Sequence, residues 1–175
     1  MKFGYKIEAG YAPLIREIVK ATGCETYLEL GIDTACTIHE IVPHCARCIG
    51  VDVQDRRGFH DFEFYKMTTD EFFKTIPIHA DIIFIDADHN FDEVRKDFLH
   101  AIKILNNWGI ILLHDTDPIS KTYLEPRFCG DAYRVRDWIK ETFPHLNILT
   151  LPISVAGLTI VNRNENRLDN GDFLS

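Results

Sequence analysis

The chain has 175 residues, 46% of them hydrophobic and 26% charged, which is typical of a globular protein with one substantial core. Its formal net charge of −8 and isoelectric point near 5.4 argue against a nucleic-acid partner, because binding to phosphate backbones draws on clustered Lys and Arg. No long apolar stretch follows the first ten residues, so we expect neither a secretory signal nor a membrane span, and we expect a cytoplasmic location.

Hydrophobic periodicity predicts alternating helices and strands, the pattern of an α/β sheet with helices on both faces. The predicted elements, in chain order, are a helix at 9–21, a strand at 26–30, a helix at 37–42, strands at 48–53 and 62–65, a helix at 70–74, a strand ending at 85, a helix at 91–105, a strand ending at 113, a helix at 132–142, and strands at 147–151 and 158–161. The last two strands should form an antiparallel hairpin. We expect one domain over residues 1–162, followed by a loose polar tail over residues 163–175.

The clearest helix, at residues 91–105, has recognisable signals at both ends. Asn90 followed three residues later by Glu93 resembles a capping box at its start. Residues 106–109 should supply the turn into the next strand, with Gly109 in a left-handed conformation.

Five cysteines, an odd number, favour reduced thiols over a disulfide framework. Cys45 and Cys48 form a C-x-x-C pair, but no second ligand pair stands at the spacing of a structural zinc site. We therefore expect a structural role for this pair.

Two carboxylate-bearing turns follow short apolar runs, at residues 81–89 and 109–117. Runs too short for a helix predict strands buried on both faces, as in a parallel sheet covered by helices. In such sheets ligands bind beyond the carboxyl ends of the strands, so the polar residues of both turns should meet at one edge. These residues are Asp86, Asp88, His89, His114 and Asp115.

A third turn, Glu29-Leu30-Gly31, leads from the first strand into a helix and is suited to a nucleoside. A glycine there lets a ligand approach the backbone, and Asp52, at the end of the next strand, can accept hydrogen bonds from a ribose diol. The G-x-G-x-x-G fingerprint is absent, and Asp33 would repel a pyrophosphate, whereas Glu29 would attract the sulfonium of S-adenosylmethionine. The alternative for Glu29 and Asp52 is capping or solvation at a strand end.

These segments, together with residues 84–89 and 112–115, resemble the class I S-adenosylmethionine-dependent methyltransferases, in particular the small O-methyltransferases of the catechol and sugar type. The resemblance covers residues 25–162 and implies a Rossmann-like three-layer sandwich, with a seven-stranded, mostly parallel sheet and a reversed final strand. Family members usually have glycines where Asp33 and Ala35 stand here. The residues that we expect at the cofactor, with the adenine near residues 67–69, are Glu29, Gly31, Asp33, Thr37, Asp52, Met67, Thr68 and Asp86.

Methyl transfer to a hydroxyl requires loss of its proton, which a divalent cation promotes by lowering the pKa of a bound oxygen. Asp86 and Asp115 offer hard oxygen ligands suited to Mg²⁺ or Mn²⁺. The metal-dependent members of the family imply Asp86, His114 and Asp115 as the metal ligands, although the family more often has an acidic residue at position 114. Alternatively, His114 points into the fold and Asp88 or Asp117 completes the site. In a metal-free site, Asp86 and Asp115 would contact cofactor and substrate.

His89 and Asp86 are the residues that we predict to be catalytic. An unperturbed imidazole titrates near ~6.5, which suits His89 as the general base. The alternative for His89 is helix capping or a hydrogen bond to Asp115.

The segment from residue 117 to 130 is long for a turn and should face the substrate. Without an inserted lid, either the substrate binds in an open groove or a second subunit covers it in a homodimer. The preferred function is methyl transfer from S-adenosylmethionine to the oxygen of a small hydroxylated molecule or a sugar, with N-methylation also open. The alternatives are a nicotinamide-dependent oxidoreductase domain, which would lack its diglycine motif, and a nucleoside-binding module without catalysis.

Overall fold

A computed structural model describes residues 10–55 and 61–163 of the chain. Its strands are β1 (Thr26–Leu30), β2 (Arg47–Asp52), β3 (Glu63–Lys66), β4 (Ala80–Ile85), β5 (Leu105–His114), β6 (Leu146–Leu151) and β7 (Leu158–Arg163). Its helices are α1 (Ala12–Thr22), α2 (Cys36–Ile41), α3 (Thr69–Thr75), α4 (Phe91–Ile104) and α5 (Arg134–Thr142), with short 3₁₀ turns at Val42–His44 and Lys121–Leu124.

The seven strands form one sheet in the order β3-β2-β1-β4-β5-β7-β6. The neighbours from β3 to β5 are parallel, while β7 runs antiparallel to both β5 and β6. The predicted fold class, a mostly parallel seven-stranded sheet with an antiparallel terminal hairpin, is therefore confirmed. Because the five parallel strands β1 to β5 end at the same edge, the turns that follow them lie along that edge.

Two apolar clusters cover the two faces of the sheet and make the protein a three-layer sandwich. Ile15 of α1 and Ile38 of α2 belong to the cluster on one face, and Phe98 of α4 belongs to that on the other. In β4, Ile83 and Ile85 pack in the Phe98 cluster, whereas Ile82 and Phe84 pack in the other. This burial on both faces explains why β4 is apolar at successive positions.

The start of α4 differs from the prediction. The side chain of Asn90 accepts a hydrogen bond from the backbone N–H of Asp92, at 2.9 Å, but Glu93 pairs with Lys96 instead of reaching back. The predicted capping box is therefore wrong, and the helix begins with a simple asparagine cap.

The predicted turn at residues 106–109 is also wrong, because β5 follows α4 directly and includes all four residues. Gly109 lies in the strand rather than in a left-handed turn. A Cβ atom at this position would lie 2.6 Å from Leu105 Cδ1 and 2.8 Å from the carbonyl oxygen of Asp81. Gly109 thus permits close packing beside the irregular start of the β4–β5 pair, where the register shifts.

Strand β7 includes Arg163, which the prediction assigned to the tail. The start of the first predicted helix, at residue 9, and the tail from residue 164 onward lie outside the described residues. Within the described part of the chain, no helix has the length and apolar character needed to cross a membrane.

Candidate active site

The turn after β1 packs directly against the turn after β4. Gly31 has φ +82°, and a Cβ atom at this position would collide with the carbonyl oxygen of Asp86 and approach Ala87 Cα to 2.5 Å. Backbone bonds connect the neighbouring strand ends, since Gly31 N donates to Val51 O and Asp86 N donates to Leu30 O, both at 2.8 Å. The structure therefore joins the expected nucleoside turn to the expected chemical turn at one edge.

Two residues of the first turn adopt left-handed conformations without being glycine. Asp33 has φ 42° and Ala35 has φ 60°, at the positions where glycines are usual in the resembled family. Such conformations cost roughly 1–2 kcal/mol per residue and persist where the surroundings hold them. Asp52 provides one constraint, because its Oδ2 atom accepts hydrogen bonds from the backbone N–H groups of Ile32 and Asp33, at 3.0 and 3.1 Å. The predicted contact of Asp52 with a ribose stays a prediction, and the structure adds a role in shaping the turn.

Glu29 lies beneath this turn, with only 2% of its surface exposed. The Tyr27 hydroxyl donates to its Oε2 atom at 2.7 Å, and the Ile38 backbone N–H donates to it at the start of α2. Burial raises the pKa of Glu29 well above its usual value. The structure thus shows the capping alternative for Glu29 and does not bring its carboxylate into the cavity described below.

Three further residues predicted at the cofactor have other partners here. The buried Thr37 hydroxyl bonds to Tyr11, and Thr68 caps α3 in a reciprocal capping box with Glu71. Met67 is partly buried against the Phe98 cluster. Their contacts with a cofactor stay predictions, and none of them lines the cavity.

A cavity of about 450 Å³ opens at the carboxyl edge of the sheet. It brings together Asp33, Asp86, His89, His114 and Asp115 from the predicted set. Its other walls are Tyr11, residues Tyr123 and 127–129 of the long segment after β5, and residues 154–156 before β7. The segment expected to face the substrate therefore does form part of the cavity.

His114 is the electrostatic centre of this cavity. Its Nδ1 atom lies 2.9 Å from Asp86 Oδ1 and 3.3 Å from Asp115 Oδ1. Burial lowers the pKa of His114, but the charges of Asp86 and Asp115 outweigh burial and raise it to about 9. At neutral pH the protein alone therefore holds an imidazolium between two carboxyl groups, and its buried Nε2 atom has no hydrogen-bond partner within the described residues.

Asp115 is 5% exposed and has φ 60°, another left-handed conformation at a residue other than glycine. Its Oδ2 atom lies 3.2 Å from His89 Nε2, and it also bonds to the Cys129 thiol. Burial raises the pKa of Asp115, although the neighbouring histidines oppose the rise. Its strained backbone and buried charge are features that cluster at functional sites.

His89 contacts a partner through each ring nitrogen. Nε2 faces Asp115, and Nδ1 lies 3.3 Å from the carbonyl oxygen of Pro126. The alternative of a contact to Asp115 is thus seen, while the role of general base stays a prediction. His89 also lines a second cavity of about 550 Å³, together with residues 87–90 and residues of the segment 124–131.

The other candidates for the third metal ligand lie elsewhere. Asp88 Oδ1 accepts a hydrogen bond from the backbone of Asn90, and Asp117 pairs with Arg136 at 3.0 Å. Among the described residues, one group of three or more His, Cys, Asp and Glu side chains has ligand atoms close enough to hold an ion, all within 4.8 Å of one another. That group is Asp86, His114 and Asp115.

Sequence reasoning did not single out Tyr11. Its ring centroid lies 4.4 Å from that of His114 and 5.6 Å from that of Phe84, and its hydroxyl lies 3.4 Å from Asp86 Oδ2. Burial, then the charge of Asp86, raises the pKa of Tyr11 far above its usual value, so it remains a neutral phenol. A tyrosine just before a helix carries no sequence signal for this role, because Phe84, Asp86 and His114 are more than seventy residues away along the chain.

Comparison with known proteins independently supports the resemblance to methyltransferases. A family model described as a methyltransferase domain matches residues 21–116, more than half of the chain. A search of curated proteins gives no match.

Solved structures share the fold at low sequence identity. The O-methyltransferase TomG from Streptomyces achromogenes, in complex with SAM, has a TM-score of 0.69 and 12% identity, with 88% of this chain and 79% of that chain covered. An O-methyltransferase from Bacillus cereus, in complex with SAH, has a TM-score of 0.66 and 14% identity, with coverages of 87% and 80%. The N-methyltransferase NodS from Bradyrhizobium japonicum has a TM-score of 0.65 and 13% identity, with coverages of 90% and 96%.

The family match spans β1 through the Asp115 turn. It therefore includes the Gly31 turn and all three potential metal ligands, Asp86, His114 and Asp115. On this match, the protein belongs to the methyltransferase-domain family.

Proposed function

We propose that this methyltransferase transfers a methyl group from S-adenosylmethionine to a hydroxyl oxygen of a small molecule or sugar. A divalent cation would bind at the acidic cluster, which is the group of Asp86, His114 and Asp115. One observation carries the proposal: the Gly31 turn packs on Asp86, so a nucleoside at this turn would lie beside the cavity that contains Asp86, His114 and Asp115.

The cofactor assignment rests on the family and on the charge of the site. S-adenosylmethionine, when bound, supplies a methyl group on a cationic sulfonium. The carboxylates of Asp33 and Asp86 line the cavity and would attract such a cation, whereas they would repel the pyrophosphate of a nicotinamide dinucleotide. Two of the fold neighbours described above were crystallised with SAM or SAH.

The side chains of Asp86, His114 and Asp115 fit a divalent cation. Neighbouring ligands of an octahedral ion with bonds of about 2.1 Å lie roughly 3 Å apart, and the Nδ1–oxygen distances are 2.9 and 3.3 Å. One imidazole and two carboxylates suit Mn²⁺ better than Mg²⁺. A cation at this position would take the place of the proton on His114 Nδ1, lower the pKa of an acceptor hydroxyl and hold that hydroxyl in place.

Other residues of the chain would remove the acceptor's proton, bind the acceptor and orient His114. The carbonyl oxygen of Pro126 holds the His89 ring through Nδ1, so Nε2 can exchange Asp115 for an acceptor hydroxyl and take its proton. The rings of Tyr123 and Phe128, whose centroids lie 5.3 Å apart, would hold the acceptor from the opposite wall. Tyr11, which packs on His114, would fix the direction of that imidazole.

O-methylation is preferred to N-methylation because a hydroxyl must lose its proton, and a cation at the acidic cluster would promote that loss. An amine nucleophile does not need a cation. The family match and the charge of the site do not favour a nicotinamide-dependent oxidoreductase. A module that binds a nucleoside without catalysis would lack methyl transfer while keeping the binding described next.

Isothermal titration calorimetry of the whole protein with S-adenosylhomocysteine, and separately with NAD, tests the cofactor. We expect S-adenosylhomocysteine to bind and NAD not to bind. At a hundredfold excess over Kd, bound S-adenosylhomocysteine should raise the free energy of unfolding, measured in urea, by about 2.7 kcal/mol. An Asp52→Asn variant should bind S-adenosylhomocysteine more weakly, while Asp137→Asn, an exposed change on α5, should not differ from the wild type. Preferential binding of NAD would contradict the proposal.

Transfer of a labelled methyl group to a panel of catechols, sugars and amines, with and without Mn²⁺, tests the acceptor and the metal. Labelling of hydroxylated compounds that depends on Mn²⁺ is expected. Labelling of amines alone, or labelling that is insensitive to both Mn²⁺ and a chelator, would contradict the O-methylation or the metal assignment respectively. Full turnover by a His89→Ala variant would remove His89 as the base.

A further inference from the structure

Three cysteines meet at the amino edge of the sheet, away from the cavity. Cys24 lies in the loop between α1 and β1. Cys45 lies in the loop before β2, and Cys48 is the second residue of β2, which pairs with β1. The five residues of β1 separate this edge from the Gly31 turn, a distance of roughly 17 Å at ~3.3 Å per residue. The cluster of Cys24, Cys45 and Cys48 has no part in the function proposed above.

Contacts centred on Cys45 define the cluster. Cys45 Sγ lies 3.5 Å from Cys24 Sγ and 3.2 Å from the carbonyl oxygen of Cys24. Its thiol can donate to that carbonyl, and once ionised its thiolate can accept from the two neighbouring thiols. Hydrogen bonds from Cys24, then from Cys48, accordingly lower the pKa of Cys45. Thiolate character is what makes a cysteine nucleophilic.

Exposure distinguishes the members of the cluster. Cys24 is 5% exposed and Cys48 is 7% exposed, whereas Cys45 is half-buried. A small oxidant in solution therefore reaches Cys45 first, and the buried Cys24 thiol lies behind it. A reactive thiol at the surface with a second thiol in contact is the arrangement of a cysteine pair that closes on oxidation.

We propose that Cys24 and Cys45 are a reversible oxidation site that closes to an intramolecular disulfide in the presence of a small disulfide such as oxidised glutathione. The Cys45 thiolate attacks one sulfur of oxidised glutathione, and the first glutathione leaves as a thiolate. Cys24 then attacks the Cys45 sulfur and releases the second glutathione. Two protein thiols lose two electrons in total, oxidised glutathione gains them, and the two thiol protons pass to the two released glutathione molecules.

The other cysteines fit this reaction less well. Cys36 is exposed on α2 at the opposite edge of the sheet and contacts the Thr34 hydroxyl, at 3.2 Å. Cys129 is buried beside Asp115. Closing a Cys24–Cys45 bond requires the two sulfurs to approach from 3.5 Å to the roughly 2.05 Å of a disulfide, a movement that loop residues can supply. The bond would join positions 21 residues apart and connect the loops that precede β1 and β2.

Peptide mapping of the native protein after treatment with oxidised glutathione tests the proposal. Remaining thiols, including the buried ones, are alkylated as the protein unfolds, and the chain is cleaved after Lys, Arg and Glu. Cuts at Glu25, Glu40 and Arg47 separate Cys24, Cys36, Cys45 and Cys48 into different peptides. We expect peptide 21–25 joined to peptide 41–47, with the loss of two hydrogens, and release of both by a reducing agent. Cys36 should carry a mixed disulfide with glutathione, which confirms that the oxidant reached exposed thiols.

Variants make the result decisive. Cys36→Ser should leave the 21–25 to 41–47 link unchanged, and Cys24→Ser should abolish it and leave Cys45 as a mixed disulfide. The melting temperature should rise on oxidation of the wild type and of Cys36→Ser, because the link restricts the unfolded chain, and should not rise for Cys24→Ser. A wild-type Cys45 that stays free, remains glutathionylated or joins Cys48 instead would overturn the proposal.

Discussion

Strand β4 has an aspartate near each end, and the two carboxylates have opposite surroundings. Near the start of the strand, Asp81 Oδ2 accepts hydrogen bonds from the backbone N–H groups of Glu25 and Thr26, at 3.0 and 2.9 Å. Asn106 Nδ2 donates to the Oδ1 atom of Asp81 at 2.6 Å. Burial raises the pKa of Asp81, but these hydrogen bonds outweigh it and lower the pKa.

Immediately after the strand, Asp86 accepts from no such set of backbone donors among the described residues. Its carboxylate faces the His114 imidazole, at 2.9 Å, and the Tyr11 hydroxyl, at 3.4 Å, with Asp115 nearby. A carboxylate whose bonding capacity is used by backbone donors stabilises the fold, whereas one placed beside a second acid and a histidine in a cavity is available to a ligand. The difference separates structural from functional acids within one strand.

Exchanging each carboxylate for an amide should affect Mn²⁺ binding in one case only, and this is the largest effect that we expect. Asp86→Asn should weaken Mn²⁺ binding by about a hundredfold, because it removes one charged ligand, and should also lower the free energy of unfolding, because the His114 imidazolium loses one of its two carboxylate partners. Asp81→Asn should leave Mn²⁺ binding unchanged and lower the free energy of unfolding by roughly 1–3 kcal/mol, because partly buried donors lose their charged acceptor. Calorimetric Mn²⁺ titration and urea unfolding measure the two quantities. Equal Mn²⁺ affinities for the two variants would contradict the metal site.

Gly23 and Gly31, which lie before and after β1, allow the amino and carboxyl edges of the sheet to be compared in the same way. Gly31 and Gly23 both have left-handed φ values, +82° and +64°, but a Cβ on Gly31 would collide with Asp86, while a Cβ on Gly23 meets nothing within 4 Å. Gly31→Ala should therefore lower the free energy of unfolding by about 3 kcal/mol and abolish binding of S-adenosylhomocysteine.

Gly23→Ala is the matched control, and it should cost only about 1 kcal/mol, the cost of a left-handed alanine. It should retain binding of S-adenosylhomocysteine. Urea unfolding and calorimetry distinguish the two outcomes. If Gly31→Ala were no more harmful than Gly23→Ala, the close contact between the two turns would be wrong.

Most of the fold could be predicted because burial leaves a periodic trace in the sequence. The run that became β4 is apolar at every position except Asp81, as two-sided burial requires, and α4 shows one apolar face. The start of β5 could not be predicted, because Asn106 and Asn107 have turn propensity in isolation. In the structure Asn106 is held in the strand by Asp81, a partner 25 residues away.

The candidate site could be predicted in part, for a related reason. Asp86, His114 and Asp115 follow strands, and parallel strands bring such residues to one edge whatever their side chains contact. The burial of the Glu29 side chain and the position of Tyr11 beside His114 depend on tertiary packing. Neither leaves a local pattern in the sequence.

A third acid, Asp97 on α4, belongs to neither edge and should show mainly the cost of burial. Burial raises its pKa from 3.8 to about 7, against a hydrogen bond from Thr69. Between these pH values the folded protein binds one proton more than the unfolded chain, so stability from this group falls as pH rises from about 4 to 7. Asp97→Asn should remove this dependence and raise the free energy of unfolding at pH 8 by about 2 kcal/mol, roughly half the full value at 1.36 kcal/mol per pH unit, because the site relaxes.

Urea unfolding at several pH values measures the effect of Asp97→Asn. Asp92→Asn, an exposed change on the same helix, serves as the control and should retain the wild-type slope. A wild-type slope in Asp97→Asn would show that the proton is bound elsewhere.

The smallest effect concerns the wall of the cavity opposite the acidic cluster. Phe128 lies against Tyr123 and under the guanidinium of Arg127, whose carbon lies 4.9 Å from the ring centroid. The ring would contact the acceptor but no reacting atom, so Phe128→Ala should raise the KM for the acceptor about three- to tenfold and leave kcat nearly unchanged, the sign of lost uniform binding. Leu149→Ala, an exposed change on β6, should alter neither constant. A fall in kcat without a change in KM would instead mean that Phe128 positions His89 through their shared segment, which His89 contacts at the Pro126 carbonyl. Steady-state kinetics with the acceptor found in the panel distinguish the two results.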